Sequence, residues 1–148
     1  MTCPVDHLQV VEDIAHYLHT QGVVRDPIPP QTGDNPLPAV WVGGLRPDVD
    51  HALGIIGPWQ DNPDSDASPI IRFMIVARTK PDDLQTLIGT SQNIFHALHH
   101  PDHPFPLTAR QDVMFCRRIV SDPPVQDENR RWIRVETYQA RLTQPNTI

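Results

Sequence analysis

Cysteine is almost absent from this chain. Cys3 and Cys116 stand far apart and form no CxxC motif, a usage that argues for a reducing compartment, with Cys116 a small buried hydrophobe in a strand-like run. Lysine is nearly missing too: eleven of the twelve basic residues are arginine, the side chain suited to bidentate carboxylate pairing and interface contacts. Aromatic residues make up only 6%, too few beside Arg117, Arg118, Arg130, Arg131, Arg134 and Arg141 to build a base-stacking platform. With a net charge of −6, this argues against nucleic acid as a tightly held ligand. No run approaches the ~18 apolar residues a membrane span requires. No basic stretch followed by an apolar one opens the sequence, so no signal peptide is expected. A soluble protein without membrane or cofactor is expected.

The motifs of catalysis are equally scarce. There is no P-loop, no Gly-x-Gly-x-x-Gly and no Gly-x-Ser-x-Gly elbow, and Gly43-Gly44 reads as a bulge or strand end. His96, His99, His100 and His103 are the strongest catalytic temptation, because His96 and His100 lie one helical turn apart. The metalloprotease pattern His-Glu-x-x-His fails, since residue 97 is Ala and no general base accompanies the pair. No catalytic residue and no metal site is assigned, and an enzyme reading has no constellation to rest on.

Proline and acid are what the chain has in quantity. Most of the seventeen prolines fall at 27–38, 58–69 and 101–106, well above the usual share of about 5%. They mark loops or extended arms at 25–38, 58–69 and 101–106 within a single domain over 1–148. Charge is divided along the chain. Residues 1–68 carry ten acids, among them Asp48 and Asp50, against Arg25 and Arg46 alone; residues 69–148 carry eight acids against ten basic side chains. A solvated acidic segment ahead of a better folded half is the simpler reading of this charge. Such a chain can also attract a copy of itself front to back, and contacts of that kind close into rings when the rotation suits.

Periodicity places the elements. Leu8, Val11, Ile14, Ala15 and Leu18 form one stripe of a helix over 4–21, with Asp6 in its first turn and Gly22 as its stop. Residues 40–45 and 52–57 read as a hairpin around Arg46-Pro47-Asp48-Val49-Asp50, with Trp59 heading an acidic loop to Ser68. Residues 70–78 form the clearest strand, apolar on both faces and so expected to be covered on both sides in its middle. Thr79 and Asp82 have capping-box spacing before a helix whose stripe is Leu84, Leu87, Ile88, Ile94, Phe95 and Leu98. Two long strands follow, over 113–121 and 132–142. The expected class is α+β: a mostly antiparallel sheet of about five strands with two helices packed on it, in the order helix, hairpin, strand, helix, strand, strand.

Several of these segments, in this order, resemble a family. Residues 47–58 are similar to the hairpin of the tail terminator and minor capsid (head–tail joining) proteins of tailed bacteriophages. Residues 69–78 resemble their central strand, and Ile94-Phe95-His96-Ala97-Leu98-His99 the helix after it. Asp127-Glu128-Asn129-Arg130-Arg131 resembles their Asp-Glu-Asn-Gly-Arg turn, with Arg130 where glycine is frequent. The resemblance covers residues 5–142. It implies a virion protein at the head–tail junction, made in a bacterial host's cytoplasm, that assembles as a hexameric ring. The ring caps the tail tube, ends its polymerisation and meets head–tail connector or neck proteins, while DNA passes through without specific binding. Interface candidates are Arg117, Arg118, Asp127, Glu128, Asn129, Arg130, Arg131, Asp48, Asp50 and Trp59. A head-completion or neck subunit, a small metal-binding enzyme built on the histidines, and an adaptor binding one partner through its acidic loops are the alternatives.

Overall fold

The computed structural model describes residues 7–33, 35–61 and 69–143. The beginning of the first helix at residue 4, the first-turn role of Asp6, residue Cys3 and most of the acidic loop to Ser68 lie outside the described residues. Two helices and seven strands follow one another in the order α1 (His7–Thr20), β1 (Ala39–Val42), β2 (Ala52–Gln60), β3 (Ile70–Pro81), α2 (Leu84–Leu98), β4 (Phe105–Pro106), β5 (Asp112–Ser121), β6 (Val125–Gln126) and β7 (Arg131–Leu142).

The expected class needs correction. The described residues are mostly sheet, about 40% strand and 22% helix, curled into a half-barrel of seven strands rather than a five-stranded antiparallel sheet. Strand order is β1-β2-β3-β7-β5-β4, with β6 pairing β7. The sheet is mixed, because β1 and β2 run parallel, Ala39 opposite Ala52 and Val42 opposite Ile55.

The expected hairpin therefore does not exist, and the reason is local. Arg78, only 5% exposed, donates from its guanidinium to the carbonyls of Arg46, Val49 and Asp50. It gathers the 43–51 connection over the start of β2 and returns the chain to the end it came from. Gly54 permits this close passage, since a β-carbon there would stand 2.7 Å from the Gly43 carbonyl oxygen. On the free side of β1, the Gln31 side-chain amide donates to the Val40 carbonyl at 2.7 Å and accepts from the Val40 N–H at 2.6 Å. That edge is thereby partly closed to a further strand.

One face of the sheet carries the core. Ile71, Phe73, Ile75 and Ala77 of β3 join Tyr138, Ala140 and Leu142 of β7, and both helices pack on them. In α1 the buried stripe is Val10, Val11, Ile14, Ala15 and Leu18, while Leu8, expected in it, is 62% exposed. In α2 the buried face is Leu87, Thr90, Ser91, Ile94, Ala97 and Leu98, rotated so that Ile88 is exposed. The capping box is also displaced. Strand β3 runs on to Pro81, and Asp83 is the cap, accepting from the Thr86 N–H at 3.1 Å. Thr79 instead donates its hydroxyl to the Asp83 carbonyl at 2.9 Å.

Candidate functional site

The second face of the sheet has no helix on it among the described residues. The alternate residues Arg72, Met74 and Val76 of β3 are only half-buried, so the expected cover on both sides is not met among the described residues. Strand register sets what this face displays. A first row brings Ile56, Met74, Thr137 and Val120 side by side; a second brings Trp59, Arg72, Gln139 and Arg117. A third adds Ile70, Arg141 and Phe115. The face is thus an apolar belt beside an arginine belt.

The arginine belt is a bonded strip. Arg72 donates to Asp61 at 2.6 Å and Gln139 donates to the same oxygen at 2.8 Å. Gln139 in turn accepts from Arg117 at 2.9 and 3.1 Å. Burial lifts the Asp61 carboxyl, but the hydrogen bonds from Gln139 and Arg72 outweigh it and hold the group below the usual carboxylate range. The Arg117 and Arg141 guanidiniums each lie 5.9 Å from the Phe115 ring, and neither has a carboxylate partner among the described residues.

Of the candidates from sequence, Arg117 and Trp59 belong to this face. Trp59 does not head a loop: β2 continues past a register shift after Ile56 and sets Trp59 opposite Arg72, 41% exposed. Arg118 points the other way. It pairs with buried Glu136 at 2.6 Å and lies 4.3 Å over the Phe95 ring.

A second group forms at the far end of the sheet. The Asp127 carboxylate accepts from the Asn129 and Arg131 N–H groups at 2.8 and 2.9 Å and from Arg131 Nε at 2.8 Å. Burial lifts its carboxyl, and the bonds from Arg131 and Asn129 outweigh that and hold it low. Arg130 takes φ of +63°, the left-handed region that favours glycine, and pairs with Asp82 at 2.5 Å. Arg131 also faces Asp50 at 3.8 Å. The turn over 127–131 therefore ties together the β1–β2 connection and the end of β3, with Asp48, Glu128 and Asn129 exposed at its rim.

The histidines take structural partners. His99 stacks on Phe95 at 4.4 Å and accepts from the Arg118 N–H at 3.2 Å. His100 contacts the Ala97 carbonyl at 3.1 Å and exchanges backbone bonds with Cys116. Among the described residues no group of three or more His, Cys, Asp or Glu side chains converges to hold a metal. Cys116 is buried, which pushes its thiol up to about 12. Among the described residues no helix is long and apolar enough to cross a membrane.

Sequence reasoning missed Asp61, Arg72, Gln139 and Arg141. The alternation along β3 and β7 carried the signal, but apolar residues on both faces of β3 suggested burial rather than an open face.

No protein-family model matches this chain, and no curated protein matches it. Its fold is shared with a solved chain described as "Virion of native gene transfer agent (GTA) particle", at 14% identity and a TM-score of 0.56. The likeness covers 90% of this chain and 91% of that one, so the two share one fold nearly end to end.

Proposed function

We propose that this chain is a structural subunit of a phage-like virion. It assembles with copies of itself into a ring that caps the tail tube, stops its polymerisation and joins it to the head. The observation that carries this reading is the end-to-end likeness to a chain of the gene transfer agent virion. It stands beside the resemblance to tail terminators borne by residues 69–78, 94–99 and 127–131. The work is done by assembly and steric capping, without catalysis, and six subunits are expected from the resemblance. Partners are further copies, the tail tube protein and the connector or neck proteins. A net charge of −6 per chain repels DNA phosphates, which suits a ring through which DNA passes unheld.

The test is the mass of the purified protein, alone and mixed with its tail tube protein, by native mass spectrometry or light scattering. A discrete ring in either sample is the expected result. A monomer in both, with no tube binding, overturns the reading.

A further inference from the structure

The bare face of the sheet and the outer side of α1 are complementary. On α1 the residues turned from the core put Leu8 and Glu12 one turn apart, with Asp13 alongside. Next to them lies a shallow groove of about 220 Å³ between α1 and β1, with Glu12, Ile28 and Val42 in its walls. Leu8 is 62% and Ile28 77% exposed, an apolar surface edged by the carboxylates of Glu12, Asp13 and Asp26. Neither Glu12 nor Asp13 has a cationic partner among the described residues. The sheet face offers the converse: apolar Met74, Val120 and Trp59 edged by Arg72, Arg117 and Arg141, with Asp61 its one acid among the described residues. Both α1 and the core lie on the opposite side of the sheet from these arginines, so no chain can bring the two surfaces together within itself.

We infer that in the ring the α1 side of one copy covers the bare sheet face of the next, with Glu12 and Asp13 set against the Arg117 and Arg72 belt. The inference rests on the ring reading and assigns its contact. The contact is heterologous, each copy using one surface to give and another to receive, which is the geometry that closes rings. It supplies the sheet with the second layer that the described residues of one chain lack. It also turns the front-to-back division of charge into specificity, because two sheet faces or two α1 sides meeting would set like charges together.

Charge exchange between two variants tests this. Glu12 and Arg117 are both exposed, so Glu12→Arg and Arg117→Glu should fold as the wild type does, the second losing only the exposed bonds to Gln139. Each variant alone has one reversed surface facing one normal surface, and its assembly should weaken by at least about tenfold. In an equimolar mixture every contact is either wild-type or doubly reversed when the two alternate. Rings of alternating composition should therefore reappear, visible by native mass spectrometry. Leu8→Arg, on the exposed side of α1, should weaken assembly with no rescue by Glu12→Arg. If the wild type forms rings and the variants do so equally well, the contact is wrong and the ring reading stands. Variants that assemble normally but lose the tail tube protein would give the face to that partner and overturn the contact. Impaired variants that fail to rescue each other would show that the two surfaces do not meet. A wild type that never assembles, alone or with the tube protein, overturns the ring reading itself.

Discussion

Glu136 is 4% exposed on the helix side of the sheet. Its carboxylate accepts from Ser91 of α2, from Ser121 at 3.1 Å and from Arg118 at 2.6 Å, fastening α2 to β5 and β7. A buried acid is stable only while every one of these partners is present. Glu136→Ala should cost about 3 kcal/mol in urea unfolding, at the low end for a broken buried pair because Arg118 keeps access to water. Arg118→Glu sets two carboxylates together and should unfold the protein, so it says nothing about an interface; Arg117 is the arginine to reverse. His51 and His99 supply a pH dependence at the same scale. Burial lowers both pKa values, helped at His99 by Arg118 and His100; Asn35 and Asp83 act the other way at His51, as Asp102 does at His99. The unfolded chain takes up these protons near pH 6.5 and the folded chain only at lower pH. Stability should hold above about 6.5 and fall as the medium is acidified from there. Replacing both histidines by glutamine should flatten that limb in thermal melts between about pH 7 and 5.

The β1–β2 connection shows at the scale of elements what could be read from sequence and what could not. The core stripe of α1 and the run of β3 were legible because their periodicity comes from the chain itself. Two short apolar segments around a turn-rich stretch carry no information on direction, and a hairpin was the natural reading. Direction is set by Arg78, a residue of β3 far along the chain whose guanidinium collects three carbonyls of the connection. The end of β3 was unreadable for a similar reason: Thr79 and Asp82 fit a capping pattern, yet pairing of Pro81 with Arg131 prolongs the strand. The arginine belt was half visible, with Arg117 and Trp59 named from sequence. Arg72 and Arg141 emerge only once register sets three strands side by side. Arg78→Met should free the connection, removing hydrogen-exchange protection from the amides of Ala39 and Gly43, which bond the His51 and Ile55 carbonyls. Gly54→Ala should cost about 1–3 kcal/mol, since the Gly43 carbonyl must move to admit a methyl. Retained protection at both amides in Arg78→Met would show that β1 and β2 pair without the arginine's help.

At the scale of the whole molecule two electrostatic effects oppose each other during assembly, and their ranges differ. Every copy carries −6, so subunits repel as bodies. The proposed contact sets acids against arginines across a few ångströms. Screening acts over about 30 Å in 0.01 M salt and about 10 Å in 0.1 M. Raising salt from about 10 to 100 mM should therefore remove most of the body-to-body repulsion while sparing pairs in contact, and association should strengthen. Raising it further, towards about 1 M where screening reaches ~3 Å, should weaken the pairs and lower association again. Light scattering across this series should thus pass through a maximum. The surfaces joined are partly apolar, and apolar contact alone does not weaken in this way, so a rise continuing to the highest salt would assign the contact to burial and leave Glu12 and Arg117 without a role. A maximum that shifts or flattens in Arg117→Glu, but not in a control such as Arg110→Glu on an exposed residue away from the three rows of the face, would locate the short-range attraction on the bare sheet.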